Sequence, residues 1–167
     1  NNRASLIINA ISAKPTSIQS ILDQAGDGTT INLTAGEYGT IYLRQSESKS
    51  QSIDVSDWAG GGDVERYREF KDISIIGTTG AKVDQIAVKA GLFLPDSGHS
   101  DDDSKHLSSY ITISNLTLKN IEFTGNKGPA VRLQSIWGHS SINGLTIDEC
   151  SLTGKEQHKT AKESFFL

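Results

Sequence analysis

The chain has little of several features that usually define a class of protein. Its 167 residues include one cysteine, three prolines, two tryptophans and no methionine. A single cysteine excludes a disulfide framework within the chain, and no apolar run approaches the roughly 20 residues of a membrane-spanning helix. The sequence carries no zinc-ligand spacing, dinucleotide fingerprint or nucleophile elbow. Its net charge of −4 gives no sign of a nucleic-acid partner.

What is present favours one β-rich domain. The length fits a single domain, 1–167. Only 35% of residues are hydrophobic, and there are 16 glycines, which suits a narrow core with many corners. Cys150 falls at an inward strand position, where we predict a small core hydrophobe; the alternative, a reactive thiol, has no basic or histidine neighbours to support it.

One motif occurs twice, in residues 115–125 and 144–154, at an offset of 29 residues. Equivalent positions of the two copies are both apolar, as in Leu118 and Ile147 or Phe123 and Leu152. Within each copy the apolar alternation breaks once, so each copy predicts two short strands joined by a two-residue corner. Repeats of this length indicate a solenoid, and an all-strand unit indicates a parallel β-helix.

These residues resemble the right-handed parallel β-helix superfamily typified by pectate lyases. Asn120 matches the corner position at which that family stacks asparagines, with Glu149 in the next coil. The predicted fold is therefore all-β: a single-stranded, right-handed parallel β-helix of about four to five coils. An amphipathic helix at 16–26, with Thr16 or Ser17 as its N-cap, resembles the family's N-terminal cap.

Alternation also predicts which side chains point inward. The predicted core residues are Ile41, Leu43, Ile75, Ile86, Val88, Leu116, Leu118, Ile121, Phe123, Val131, Leu133, Leu145, Ile147 and Leu152. Two segments, 45–70 and 91–109, interrupt the alternation of apolar and polar residues and are predicted to be long loop insertions. A last strand is predicted at 163–167, where the sequence stops without a cap. We therefore expect the chain to be the N-terminal part of a longer solenoid, or a partner to cover the end beyond Leu167.

The second insertion contains Asp101, Asp102 and Asp103 between two histidines. Carboxylates at this density make calcium a possible ligand, while a solvated acidic loop is the alternative. The sequence lacks the EF-hand spacing, a repeated carboxylate cluster on neighbouring strands and the Arg-x-Pro-x-x-Arg segment of pectate lyases. No cofactor is therefore assigned with certainty.

The resemblance implies a site on the outward face of the first strand of each coil. The strands 40–44, 86–89 and 130–134 place Tyr42, Ala87 and Arg132 in one outward column. Arg44, Lys89 and Gln134 form the next. In related lyases such residues neutralise a uronate carboxylate and remove the C5 proton. Carried over, Lys89 and Arg132 become the catalytic candidates.

The same resemblance implies further substrate-binding residues, which are Tyr42, Arg44, Gln134, Trp58 and His139. Three functions stay open: an acidic-polysaccharide lyase acting by β-elimination, a non-catalytic carbohydrate-binding β-helix, and a structural or adhesive solenoid. The expected partner is an anionic, uronate-containing polysaccharide. Asn1-Asn2-Arg3, interpreted as a mature terminus, predicts a secreted, periplasmic or cell-surface location.

Overall fold

A computed structural model describes residues 10–54, 64–91, 109–136 and 138–153. These residues are mostly strand, with one short helix, so the predicted all-β class is confirmed. Among them, no helix has the length and apolar character needed to cross a bilayer. The central part of the predicted 91–109 insertion and the predicted strand at 163–167 lie outside the described residues.

The described elements follow one another closely along the chain. The helix is α1 (Ile18–Asp23). The strands are β1 (Ala10–Ala13), β2 (Thr30–Leu33), β3 (Gly36–Glu37), β4 (Thr40–Arg44), β5 (Gln51–Asp54), β6 (Val64–Gly77), β7 (Ala81–Val83), β8 (Gln85–Gly91), β9 (Ser109–Lys119), β10 (Glu122–Phe123), β11 (Val131–Ile136), β12 (Gly138–Asp148) and β13 (Ser151–Leu152).

The strands form three separate sheets. The six-stranded sheet has the order β1-β2-β6-β9-β12, with β5 pairing β6 at one side. The four-stranded sheet has the order β13-β10-β7-β3, and the three-stranded sheet the order β11-β8-β4. All pairs are parallel except the antiparallel pair β5 and β6. From β2 onward the chain visits the sheets repeatedly in the same sequence: six-stranded, four-stranded, three-stranded.

The predicted repeat is confirmed as a pairing register. Leu116 pairs with Leu145, and Leu118 pairs with Ile147, in parallel strands β9 and β12. One corner further on, Phe123 pairs with Leu152. The 29-residue offset in the sequence is therefore the chain length that separates these neighbouring strands.

The corners use backbone conformations that few side chains adopt. Asn120 and Glu149, which follow paired residues of β9 and β12, have φ angles of 54° and 52°. Gly77, the last residue of β6, is at the equivalent place, and a Cβ added there would clash with the backbone oxygen of Asn120. Only glycine therefore fits at Gly77, because any side chain would clash with the neighbouring corner.

A second stack of left-handed residues divides each long strand in two. Asp72, Asn115 and Gly144 have φ angles of 54°, 63° and 92°, and they occupy equivalent places in β6, β9 and β12. The Asn115 amide nitrogen donates to Asp72 Oδ1 at 3.1 Å. A side-chain hydrogen bond between neighbouring strands is thus found at this second bend.

The core lies between the sheets, where inward side chains of successive strands stack. Ten of the predicted core residues are buried. They are Ile41, Leu43, Ile75, Ile86, Val88, Leu116, Leu118, Ile121, Phe123 and Val131. Leu145, Ile147 and Leu152 are only partly buried against that cluster.

The prediction for Leu133 was wrong, since its side chain is 41% exposed. The physical reason is that Leu133 lies on β11, an outer strand of the three-stranded sheet. Within the described residues, β11 has a neighbouring strand on one side only, so Leu133 meets Val88 and no second partner strand.

The interpretation of 45–70 as a loop was also wrong in two places. Gln51–Asp54 is β5, and the residues from Val64 to Phe70 begin β6. Arg68 and Phe70 of β6 are buried, and so are Gln45 and Ser46 at the start of the segment. A charged side chain therefore occupies a core position, which the hydrophobic pattern did not anticipate.

The helix is shorter than the predicted 16–26 and lies against β4, the outer strand of the three-stranded sheet. Ile18 and Leu22 are buried in the core. Ser17 is the N-cap residue, but its hydroxyl accepts the Lys14 N–H at 2.9 Å and makes no capping bond to the helix.

The buried guanidinium of Arg68 fastens the other end of α1. It donates to the backbone oxygens of Leu22, Ala25 and Arg44 at 2.9, 3.3 and 2.8 Å. Its Cζ lies 4.0 Å from the centre of the Phe70 ring. The Leu22 carbonyl, which also accepts the Ala25 N–H at 3.1 Å, lies at the C-terminal end of α1, where a cation is favourable.

Candidate functional site

The three-stranded sheet carries the predicted outward columns. Tyr42 on β4 pairs with Ala87 on β8, which pairs with Arg132 on β11. Two residues further along, Arg44 pairs with Lys89, and Lys89 pairs with Gln134. The structure therefore brings together five of the predicted site residues, Tyr42, Arg44, Lys89, Arg132 and Gln134, in the register that alternation predicted, on strands about 4.8 Å apart.

Two cations on this face are open to solvent. The side chains of Lys89 and Arg132 are exposed, and those of Tyr42 and Gln134 are partly exposed. The Lys89 ammonium lies 5.7 Å from the centre of the Tyr42 ring, within the range of a cation–π interaction. Because the two cations sit diagonally across neighbouring strands, their Cα atoms are separated by about 8 Å.

Ala87 departs from the expected exposure. It was predicted to face solvent with Tyr42 and Arg132, yet it is 1% exposed. Its side chain is a single methyl group between two much longer neighbours in the column. The surface between the tyrosine and the arginine is therefore a shallow depression and not a third polar contact.

Arg44 lies in the predicted column, but a protein carboxylate already binds it. Its Nε and one terminal nitrogen donate to the two oxygens of Asp23 at 3.1 and 2.8 Å. These bonds raise the pKa of Arg44 above its usual value, with burial opposing them in part. The sequence prediction placed Arg44 among the ligand-binding residues without finding this partner on α1.

His139 is on a different surface from the cations. It belongs to β12 of the six-stranded sheet, where its ring stacks on Tyr110 with the ring centres 5.1 Å apart and the planes at 18°. Tyr67 on β6 is in register with Tyr110. The aromatic column escaped the sequence prediction, although Tyr110 and His139 are separated by the same 29 residues as the repeat.

The remaining predicted site residues lie outside the described parts of the chain. These are Trp58 and the candidate calcium ligands Asp101, Asp102 and Asp103. Within the described ranges, no group of three or more histidine, cysteine or acidic side chains is placed to hold a metal ion.

Two grooves lie away from the cationic face. The larger, about 610 Å³, runs beside the corners and is lined by Asn120, Glu122 and Glu149, among others. The smaller, about 360 Å³, is lined in part by Asp27, Glu69 and a single lysine, Lys49. Carboxylates in both grooves disfavour an anionic ligand, so the three-stranded sheet is the better surface for one.

No family model, curated protein or solved structure matches the chain. The chemistry of the site therefore has to come from its own residues.

Proposed function

We propose that the chain is a right-handed parallel β-helix, similar to the pectate-lyase superfamily, with α1 closing its N-terminal end. Three parallel sheets visited in a constant sequence support this architecture, as does the stacking of corner residues at positive φ. Parallel crossover connections are almost always right-handed. Gln19 binds α1 to β4, and Arg68 of β6 binds the Leu22 carbonyl of α1, as expected for a helix that caps the end.

On this scaffold, the outward face of the three-stranded sheet binds an anionic, uronate-containing polysaccharide. The observation that carries the proposal is the exposure of Lys89 and Arg132 on neighbouring strands beside Tyr42, in a chain whose net charge is −4. Cations concentrated on one face attract a polyanion despite the overall charge. Tyr42 supplies an aromatic surface for a sugar ring, and Gln134 supplies hydrogen bonds.

The same residues would support β-elimination. Arg132 neutralises the uronate carboxylate, and Lys89 removes the C5 proton. The electron pair left on C5 forms the C4–C5 double bond while the C4–O bond breaks, and the departing oxygen takes up a proton.

The test is binding and cleavage on alginate, polygalacturonate and chondroitin, with neutral dextran as the uncharged polymer. Binding is measured by affinity electrophoresis and cleavage by the ultraviolet absorbance of the unsaturated product, with added calcium and with chelator. Arg132→Gln and Lys89→Gln should weaken binding. Lys82→Gln removes the same charge from an exposed position on β7 and should not.

The outcomes separate the three functions. Binding with product formation supports the lyase, and binding without product supports a non-catalytic carbohydrate-binding β-helix. If the wild-type protein binds none of the acidic polymers, or if Lys82→Gln weakens binding as much as Arg132→Gln, the proposed site is rejected. A structural or adhesive role would then be the better interpretation.

A further inference from the structure

Asp23 sits where it controls the charge of the proposed binding face. Both of its carboxylate oxygens accept hydrogen bonds from Arg44, and Gln19 Nε2 donates to Oδ1 at 2.9 Å. The side chains of Arg44 and Asp23 are only 33% and 22% exposed. A paired arrangement of this kind between two planar groups is the strongest geometry available to arginine and a carboxylate.

Gln19 makes the position of Asp23 rigid. The Gln19 amide also makes two hydrogen bonds with the backbone of Tyr42, both at 3.0 Å. Hydrogen bonds of Gln19 therefore connect α1, the outer edge of β4 and the Asp23 carboxylate. A carboxylate held in this way needs no further ordering to bind Arg44, whereas a polysaccharide carboxylate would have to be ordered first.

We propose that Asp23 is an internal counter-ion that removes Arg44 from the binding face and so limits that face to two cations, Lys89 and Arg132. This inference rests on the proposed function. Without Asp23, Arg44 would stand beside Lys89 in the same column as a third cation. Asp23 therefore sets the number of free cations that the face offers to a polyanion.

Asp23→Asn tests the proposal because the amide keeps an oxygen for Gln19 while losing the charge that holds Arg44. We expect it to bind polygalacturonate about two- to fivefold more tightly than wild type, as one additional exposed ion pair allows. The double variant Asp23→Asn with Arg44→Gln should return to the wild-type value.

Asp27→Asn is the matched control. Asp27 is an exposed acid beyond the end of α1, so its loss changes the net charge equally without releasing Arg44. Thermal unfolding of each variant confirms that the folded state is retained. The proposal is overturned if Asp23→Asn and Asp27→Asn change affinity equally, or if the double variant Asp23→Asn with Arg44→Gln binds as tightly as Asp23→Asn alone.

A second readout does not depend on polysaccharide binding. Phenylglyoxal modifies accessible arginines, and mass spectrometry locates the product. Arg132 should react faster than Arg44 in the wild type, and Asp23→Asn should raise the rate at Arg44 alone. Equal wild-type rates at the two arginines would overturn the counter-ion role even if the polymers fail to bind and the proposed function itself is lost.

Discussion

The side chain of Gln19 takes the place of a neighbouring β-strand for Tyr42. Its Nε2 donates to the Tyr42 backbone oxygen, and its Oε1 accepts the Tyr42 N–H, both at 3.0 Å. Tyr42 is on β4, the outer strand of the three-stranded sheet. An outer strand otherwise presents unpaired backbone groups that invite pairing with another chain, so Gln19 satisfies the edge next to the proposed site.

Gln19→Ala should therefore destabilise the protein by about 1–3 kcal/mol, since two backbone groups of Tyr42 lose their partners. Chemical denaturation gives the free energy of unfolding. Thr16→Ala, an exposed change just before the same helix, should have little effect. Equal losses in the two variants would show that the Gln19 bonds contribute nothing specific.

Replacing the buried Arg68 should lower the free energy of unfolding more than Gln19→Ala does. Burial lowers its pKa to about 10, partly offset by the charge of Asp23, so it is charged at neutral pH. Arg68→Met leaves the carbonyls of Leu22, Ala25 and Arg44 without this donor, and we expect a loss of about 2–4 kcal/mol in the free energy of unfolding. Arg68→Lys should be intermediate, because a single ammonium cannot reproduce the arginine fork.

Arg66→Met is the control, since Arg66 is two residues away in β6 and only partly buried. It should change stability by less than about 0.5 kcal/mol. An Arg68→Met protein as stable as the wild type would mean that the cost of burying the charge equals the gain from its hydrogen bonds.

Glu149 occupies a corner that favours a different residue. Its φ of 52° places it in the left-handed region, where asparagine is tolerated better than glutamate. Glu149→Asn should stabilise the protein by roughly 0.5–1 kcal/mol. Glu47→Asn, in an exposed turn without positive φ, should not. The prediction fails if thermal unfolding shows no difference between the two variants.

Cys150 should behave as a structural residue. It is partly buried, and burial raises the pKa of its thiol above the usual value. Because only the thiolate reacts, its reaction with a disulfide reagent at neutral pH should be slow and should accelerate as pH rises. The same protein in urea is the matched reference, and an equal rate in the folded protein would contradict the assignment.

The sequence predicted the parts of the fold that depend on local alternation. The register of Tyr42, Ala87 and Arg132 follows from inward neighbours such as Ile41 and Ile86, and the pairing of Leu118 with Ile147 follows from the repeat. These features depend on period and spacing alone. They could therefore be obtained without any knowledge of how distant elements pack.

The missed features depend on contacts across long stretches of chain. Arg68 occupies a core position because carbonyls from α1 and β4 surround its guanidinium, and hydrophobic patterning cannot anticipate such partners. Likewise, Arg44 and Asp23 are 21 residues apart. Their pairing depends on how the helix docks against β4, which no periodicity specifies.

The measurement that tests the central claim most directly is the location of a bound acidic oligosaccharide. Backbone amide shifts of this 18.0 kDa chain can be followed by NMR during titration with a galacturonate oligomer. The account predicts saturable shifts that are largest on β4, β8 and β11, around Tyr42, Lys89 and Arg132. Shifts that are largest beside the groove of Asn120 and Glu149, or that do not saturate, would contradict it.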